Sequence, residues 1–264
     1  MRNLRLQIAY DGSAFFGWQR QDGFTTVQET IEDAVAQLTG EEVTAQGSGR
    51  TDTGVHALRQ VANFHVQTRL TDDRFRHGIN AHLPESVVVN RVETCADDFH
   101  SRFSAVGKRY VYVISTRRFK PSHAERQTAW CPQPLDFALM ERAALDLIGD
   151  HDFLGLSSVG SNPGKSTVRR VKRLRWIKRR DTLAFAIEAE GFLYNMVRTI
   201  AGTLVDIGRQ RLPEDCIRQV LLSRERNSAG PTAPAGGLYL LRVLYNESTF
   251  PGVDPGPNGT PGIF

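Results

Sequence analysis

Eleven residues, Gly47 to Ala57 (GSGRTDTGVHA), carry three glycines, one arginine, one histidine, two threonines and a single carboxylate, Asp52. Gly47 and Gly49 permit backbone conformations closed to other residues and let a ligand approach the main chain. Arg50 and Asp52 are two apart, so an extended backbone points both to one side. A carboxylate beside a guanidinium stays ionised, because the opposite charge favours the charged form. That is one way to hold a nucleophile or a base. The same residue types also build ordinary tight turns and helix caps, and this segment alone does not choose between the two.

Other residues could do chemistry. Tyr110 stands in KRYVYVIS (Lys108 to Ser115), where it is either a core residue or a platform on which a base can stack. Arg198 lies in GFLYNMVRTI among Phe192, Val197, Ile200 and Ala201. A guanidinium with such neighbours needs a partner, and Asp52 is one candidate. Val168 to Arg180 (VRRVKRLRWIKRR) has Lys or Arg at eight of thirteen positions. It is either a stripe for a phosphate backbone or a solvated edge strand. Gly160 to Ser166 (GSNPGKS) is not a phosphate-binding loop: only three residues separate its glycines, and a strand follows where a helix is required. No serine sits in a G-x-S-x-G elbow, and His56 has no Cys or Ser beside it, so it reads as structural.

Strands and helices that could position these groups alternate irregularly. Leu4, Leu6, Ile8 and Tyr10 have the period of a half-buried strand. Thr26 to Glu29 has capping-box spacing ahead of a helix with Val27, Ile31, Ala34, Val35 and Leu38 on one face, ended by Gly40. Strands are predicted at Val61 to Val66, Val87 to Val92, Lys108 to Ser115, Val168 to Lys178, Leu183 to Glu190 and Leu238 to Leu244. Further helices are predicted near Thr71, from Leu135 to Gly149, from Phe192 to Ile207 before Gly208, and from Pro213. A loop rich in Gly and Ser is expected over Gly155 to Thr167.

Without regular βα alternation, the fold class is α+β, with two sheet-bearing halves. The expected division is residues 1–105, residues 106–246, and a disordered tail rich in Pro and Gly over 247–264.

The 264 residues suffice for a sizeable core. A net charge of +4 tilts toward anionic partners. Cys95, Cys131 and Cys216 are odd in number and far apart, without a CxxC pair or an HExxH helix. Neither a disulfide framework nor a metal site is expected. The opening MRNLRLQIAY is not a signal peptide and no run approaches a membrane span, so a reduced cytoplasmic setting is the expectation.

Several blocks together carry a family likeness. GSGRTDTGVHA resembles the active-site motif of the tRNA pseudouridine synthase A family. YDGSAFFGWQRQ (Tyr10 to Gln21) with the following TVQ resembles its opening, and ADDFHSRFSAVGKRYVYVI (Ala96 to Ile114) its central block. GFLYNMVRTIAGTL (Gly191 to Leu204) resembles its long helix and GLYLLRVLY (Gly237 to Tyr245) its last strand. The blocks occur in order from Asn3 to Tyr245, and the tail beyond Asn246 matches nothing in the pattern.

The resemblance implies an enzyme that isomerises uridine to pseudouridine in the anticodon stem-loop of tRNA, at positions 38, 39 and 40. It implies an α+β fold of two sheet-bearing lobes with helices packed on one face and a cleft between them, and a homodimer without cofactor. By the same resemblance Asp52 is the catalytic nucleophile, attacking the sugar C1′ or the base C6. Tyr110 stacks on the target uracil and could assist loss of the C5 proton. Arg50 handles the flipped nucleotide, Arg198 pairs with the aspartate, and Leu238 lies near the pocket wall. RNA contacts are implied for Phe99, His100, Ser101, Arg102 and Phe103, and for Ser161, Asn162, Pro163, Gly164 and Lys165.

Overall fold

A computed structural model describes residues 1–120, 122, 126–158 and 166–246. The expected tail over 247–264 and the candidate contacts Ser161 to Lys165 therefore lie outside the described residues. In chain order the elements are β1 (Arg2–Tyr10), α1 (Val27–Thr39), β2 (Gln46–Gly47), β3 (His56–Val66), α2 (Asp72–His82), β4 (Val87–Cys95) and β5 (Ala105–Ser115). Then come β6 (Ala129–Trp130), α3 (Phe137–Ala144), β7 (Gly149–Asp152), β8 (Val168–Arg179), β9 (Thr182–Ala189), α4 (Met196–Gly208), α5 (Cys216–Ser223) and β10 (Leu238–Tyr245).

The two halves of the chain share one sheet, in the order β4-β1-β3-β10-β5-β9-β8-β7, with β2 on β3 and β6 on β5. β10 is the seam. It runs parallel to β3, with Tyr239 opposite His56, and antiparallel to β5, with Leu240 opposite Tyr110. The last strand thus brings the segment preceding β3 beside the middle of β5.

Alternation decides which side chains face the helices. Tyr110, Tyr112 and Ile114 of β5 join Leu238 and Leu240 of β10 in the main core, together with residues of all five helices. The intervening Val111, Val113, Tyr239 and Leu241 form a small separate cluster with Ala184. Helices therefore gather on one face, as α+β packing requires. Each fully buried Leu, Ile or Val contributes about 1.5–3 kcal/mol relative to exposure.

Local signals explain most boundaries. The Thr26 side chain accepts from the Glu29 amide at the start of α1, and Gly40 closes it with φ 75°. Three expectations need correction. The helix expected over Leu135 to Gly149 ends at Ala144, because Leu145–Leu147 tightens to a 3-10 turn and Gly149, at φ +111°, turns the chain into β7. The helix expected from Phe192 begins at Met196, since Asn195 is left-handed at φ 58°. The one expected from Pro213 begins at Cys216. The short strands β2, β6 and β7 were not expected; pieces of two to four residues are too short to show a period.

Candidate active site

The connection from β2 to β3 is held from beneath. Gln60 of β3 is fully buried; its carbonyl oxygen accepts from the Ser48 hydroxyl at 2.6 Å and its amide donates to the Gly49 carbonyl at 2.9 Å. The Tyr10 and Thr51 hydroxyls are bonded at 2.8 Å, and the Thr51 carbonyl accepts from the Trp18 amide at 3.0 Å. Asp52 then opens a turn closed by Val55 N–H on its own carbonyl at 3.0 Å, with Gly54 at φ +79° in the position that demands a positive angle. A turn fixed at both ends holds the Asp52 side chain at one place.

That place is the lining of a cavity of about 890 Å³. Asp52, Arg50, Tyr110, Arg198, Leu238 and Arg102 all line it, arriving from segments far apart in sequence. Arg198 Nη1 lies 3.6 Å from Asp52 Oδ2. The guanidinium is braced by its Nε donating to the Ala233 carbonyl at 2.8 Å and Nη1 to Asn195 Oδ1 at 2.9 Å. The left-handed Asn195 that delays α4 thus orients the arginine. It also leaves Phe192 to Asn195 as cavity wall rather than helix.

The charge balance on Asp52 differs from the expectation. Burial pushes its carboxyl above the usual range, and Arg198 opposes that rise by attraction and hydrogen bonding. Arg198 rather than Arg50 is the guanidinium beside it. Arg50 Nε instead donates to Gln19 Oε1 at 3.0 Å, though both Arg50 and Asp52 line the cavity. Behind Arg50 runs a chain of amides: Gln19 donates to Gln28 at 2.8 Å, and Gln28 to the buried Glu32 carboxylate at 2.9 Å. Glu32 also accepts from the Ala45 amide at 2.8 Å and pairs with Arg20 at 2.6 Å.

Tyr110 is 8 % exposed and meets Phe192 edge-on at 5.0 Å between centroids. Burial pushes its phenol well above the ordinary value, with the nearby Asp52 adding to the rise. The hydroxyl stays protonated at neutral pH, which suits an aromatic wall better than a base for the C5 proton. Leu238, the first residue of β10, presents an apolar side chain to the same space.

The segment Phe99 to Phe103 divides in two. Ser101 is fully buried, its amide donating to Asn63 Oδ1 at 2.9 Å and its hydroxyl to the Gln46 carbonyl. The Phe99 carbonyl accepts from Asn3 and Asn63, and its ring packs on Tyr245 at 5.3 Å. These two residues anchor the segment to the fold, Ser101 with its side chain buried and Phe99 half-buried. His100, Arg102 and Phe103 cluster outside: the two rings are 4.3 Å apart, Phe103 is 76 % exposed, and the Arg102 guanidinium lies 5.7 Å from the Phe103 centroid. Of the five, only Arg102 lines the cavity.

His56 fits the structural reading. Its Nδ1 accepts from the Gly12 amide at 3.1 Å, its Nε2 lies 2.8 Å from the Arg126 carbonyl, and its ring stacks on Tyr239. The glycines serve a different purpose from the one expected. A Cβ on Gly47 would fall 2.4 Å from the Trp18 indole, and one on Gly49 2.5 Å from Lys108 Nζ. Both make room for side chains of this protein. Trp18, Gln19 and Gln28 are cavity residues that the sequence reading missed. Lys108, which the sequence places with Arg102 and Arg109 among aromatic residues suited to a nucleic-acid backbone, also lines the cavity, two before Tyr110 on one strand and so on its face. Among the described residues no group of three His, Cys, Asp or Glu could hold a metal ion, and no helix is long and apolar enough to cross a membrane.

Comparison with known proteins agrees with the geometry. A family model described as tRNA pseudouridine synthase matches residues 7–104 and 143–246. The tRNA pseudouridine synthase A of Acetivibrio thermocellus is 44% identical, covering 93% of this chain and all of its own. One from a Thermoanaerobacter species is 43% identical over 93% of this chain and all of its own. The protein named tRNA pseudouridine synthase A 1 of Desulfotalea psychrophila is 39% identical with the same coverage. A solved Cbf5–Nop10–Gar1 complex matches 91% of this chain and 50% of its own at 12% identity and a TM-score of 0.38, too slight a likeness to carry an argument.

Proposed function

The chain belongs to the tRNA pseudouridine synthase family, and from that premise we propose that it isomerises uridine to pseudouridine in the anticodon stem-loop of tRNA, with Asp52 as nucleophile. One observation carries this reading: Asp52, Tyr110 and Arg198, from three distant segments, line a single cavity, and Arg198 is ion-paired with the carboxylate.

The reaction breaks the C1′–N1 bond, forms C1′–C5, releases the C5 proton and places a proton on N1, so that the product is an isomer of the substrate. It needs no electron transfer and no energy donor. The target base must leave its stack, at a few kcal/mol, to enter a cavity of this depth. Tyr110 and Leu238 supply an apolar seat for the uracil, worth about 1–3 kcal/mol for a base on an aromatic ring. The Asp52 carboxylate attacks C1′ or C6, and Arg198 keeps it charged against the pull of burial. Arg50, braced through Gln19 on the buried Gln28–Glu32 pair, stands at the rim where the nucleotide turns in.

The same reading includes a homodimer, which the motif blocks imply and sedimentation equilibrium checks. It also includes a reducing cytoplasm, in keeping with three free cysteines. Tritium release from C5-labelled uridine in tRNA tests the activity. The chain should release tritium, and Asp52→Ala should not, while tRNA binding persists. Release by Asp52→Ala at the parent rate would falsify the nucleophile assignment.

A further inference from the structure

Four cationic side chains line the cavity, Arg50, Arg102, Lys108 and Arg198, against a single carboxylate, Asp52. Arg198 is taken by Asp52 and Arg50 by Gln19. Lys108 is different. Its ammonium lies over the backbone of Gly49, where even a methyl group would collide with it. It has no hydrogen bond or ion pair among the described residues, and the charge that acts on it is another cation, Arg102.

Strand geometry explains the placement. Lys108 shares the inward face of β5 with Tyr110 and Tyr112, so its stem runs along the cavity wall and its head reaches the segment leading to Asp52. Lysine in such a strand usually points to solvent or meets a carboxylate, as Lys172 meets Glu190 at 3.6 Å on β8. Holding two cations together in a partly desolvated wall is unfavourable unless an anion joins them.

We propose that Lys108, with Arg102, seats a backbone phosphodiester of the RNA next to the flipped uridine, fixing the register in which the base enters. The proposal rests on the function inferred above and adds to it a positioning contact. Burial and the Arg102 guanidinium push the Lys108 ammonium down to about 8, so it is still charged at neutral pH and gains an anionic partner when RNA binds. Gly49 has the matching role: it leaves the room that the ammonium occupies.

The test uses a stem-loop RNA with a neutral methylphosphonate replacing the phosphate on the 5′ side of the target uridine, then on the 3′ side. Binding is measured in the Asp52→Asn background, so that turnover does not intervene. One of the two substitutions should weaken binding about tenfold. Lys108→Met should weaken binding of the unmodified RNA similarly, and the two changes together should cost no more than either alone. The slope of log affinity against log salt should flatten by about 0.7–1 in Lys108→Met, and Lys108→Arg should restore it. Additive losses, or an unchanged salt slope, overturn the proposal.

If Lys108→Met does not fold, Lys108→Gln, which keeps a polar head but removes the charge, gives the same reading. Tritium release by the parent chain on the unmodified stem-loop reports separately on the proposed function. A chain that is inactive but shows the non-additive cycle loses the enzymatic reading and keeps the phosphate seat.

Discussion

The cavity wall and strand β8 hold the molecule's two concentrations of positive charge, and they handle it in opposite ways. β8 is the denser. Its cations are mostly exposed and stand on both faces of the strand: Arg170 lies 3.9 Å from Asp150, Lys172 pairs with Glu190, and Lys178 rests on the Phe137 ring at 5.0 Å. β7 pairs with it only from Val168 to Val171, so much of its length is sheet edge. None of its lysines or arginines lines the cavity. The cavity has four cations, of which Arg198 meets Asp52 and Lys108 lies over the backbone leading to it. Exposed ion pairs are worth little and are screened by salt, whereas a charge in a partly desolvated wall acts strongly on whatever shares that wall. Position, more than number, separates a site from a solvated edge.

Arg198→Ala tests that contrast most severely. With the guanidinium gone, the carboxyl of Asp52 loses the group that opposes its burial, so its pKa rises further. An ionised nucleophile is required, so the acid limb of the rate profile should move to higher pH. The turnover number should fall about 10²- to 10³-fold with a smaller change in tRNA affinity. A normal kcat with an unmoved acid limb rules the pair out of the chemistry.

Gln28→Leu is a gentler probe. It cuts Arg50 off from Glu32 without touching the cavity's charges, and kcat/KM should drop about tenfold. Urea unfolding should register about 1–3 kcal/mol for the stranded carboxylate and amide. On β8, the double change Arg170→Gln and Lys172→Gln should alter kcat/KM by less than about twofold. A tenfold loss there would place the RNA across β8 and erase the distinction drawn between the two regions.

Smallest of all is an effect on stability. Because the folded state raises the Asp52 pKa, its ionisation disfavours folding above the raised value, and this penalty disappears below the unfolded value. Asp52→Asn should therefore melt at or slightly above the parent temperature at neutral pH, by about 2 °C at most, and the difference should shrink on acidification. Scanning calorimetry at several pH values reads it.

The helix of α1 and the alternating strands were legible because each buries one face, and a buried face imposes a period. The Asp52 turn was legible as a motif, and its electrostatics were legible in part. Two residues of separation suggested Arg50 as a neighbour, which instead bonds Gln19, whereas an arginine among apolar residues in need of a partner pointed to the Arg198 pair, formed from α4 some 146 residues later in the chain. Apolar spacing likewise ran on through Phe192, because it is blind to a left-handed residue such as Asn195. Ser101 was expected as a contact residue by resemblance, and only the fold shows its amide bonded to Asn63 and its hydroxyl to Gln46. Pairings between remote segments are where reading along one dimension runs out.

The strand that joins the two halves is also the only sheet neighbour that β3 and β5 share among the described residues. Until residues 238–245 slot between β3 and β5, the sheet does not carry the aspartate and the tyrosine side by side. Loosening that one strand would open the pocket from its floor while leaving each half's own pairings intact.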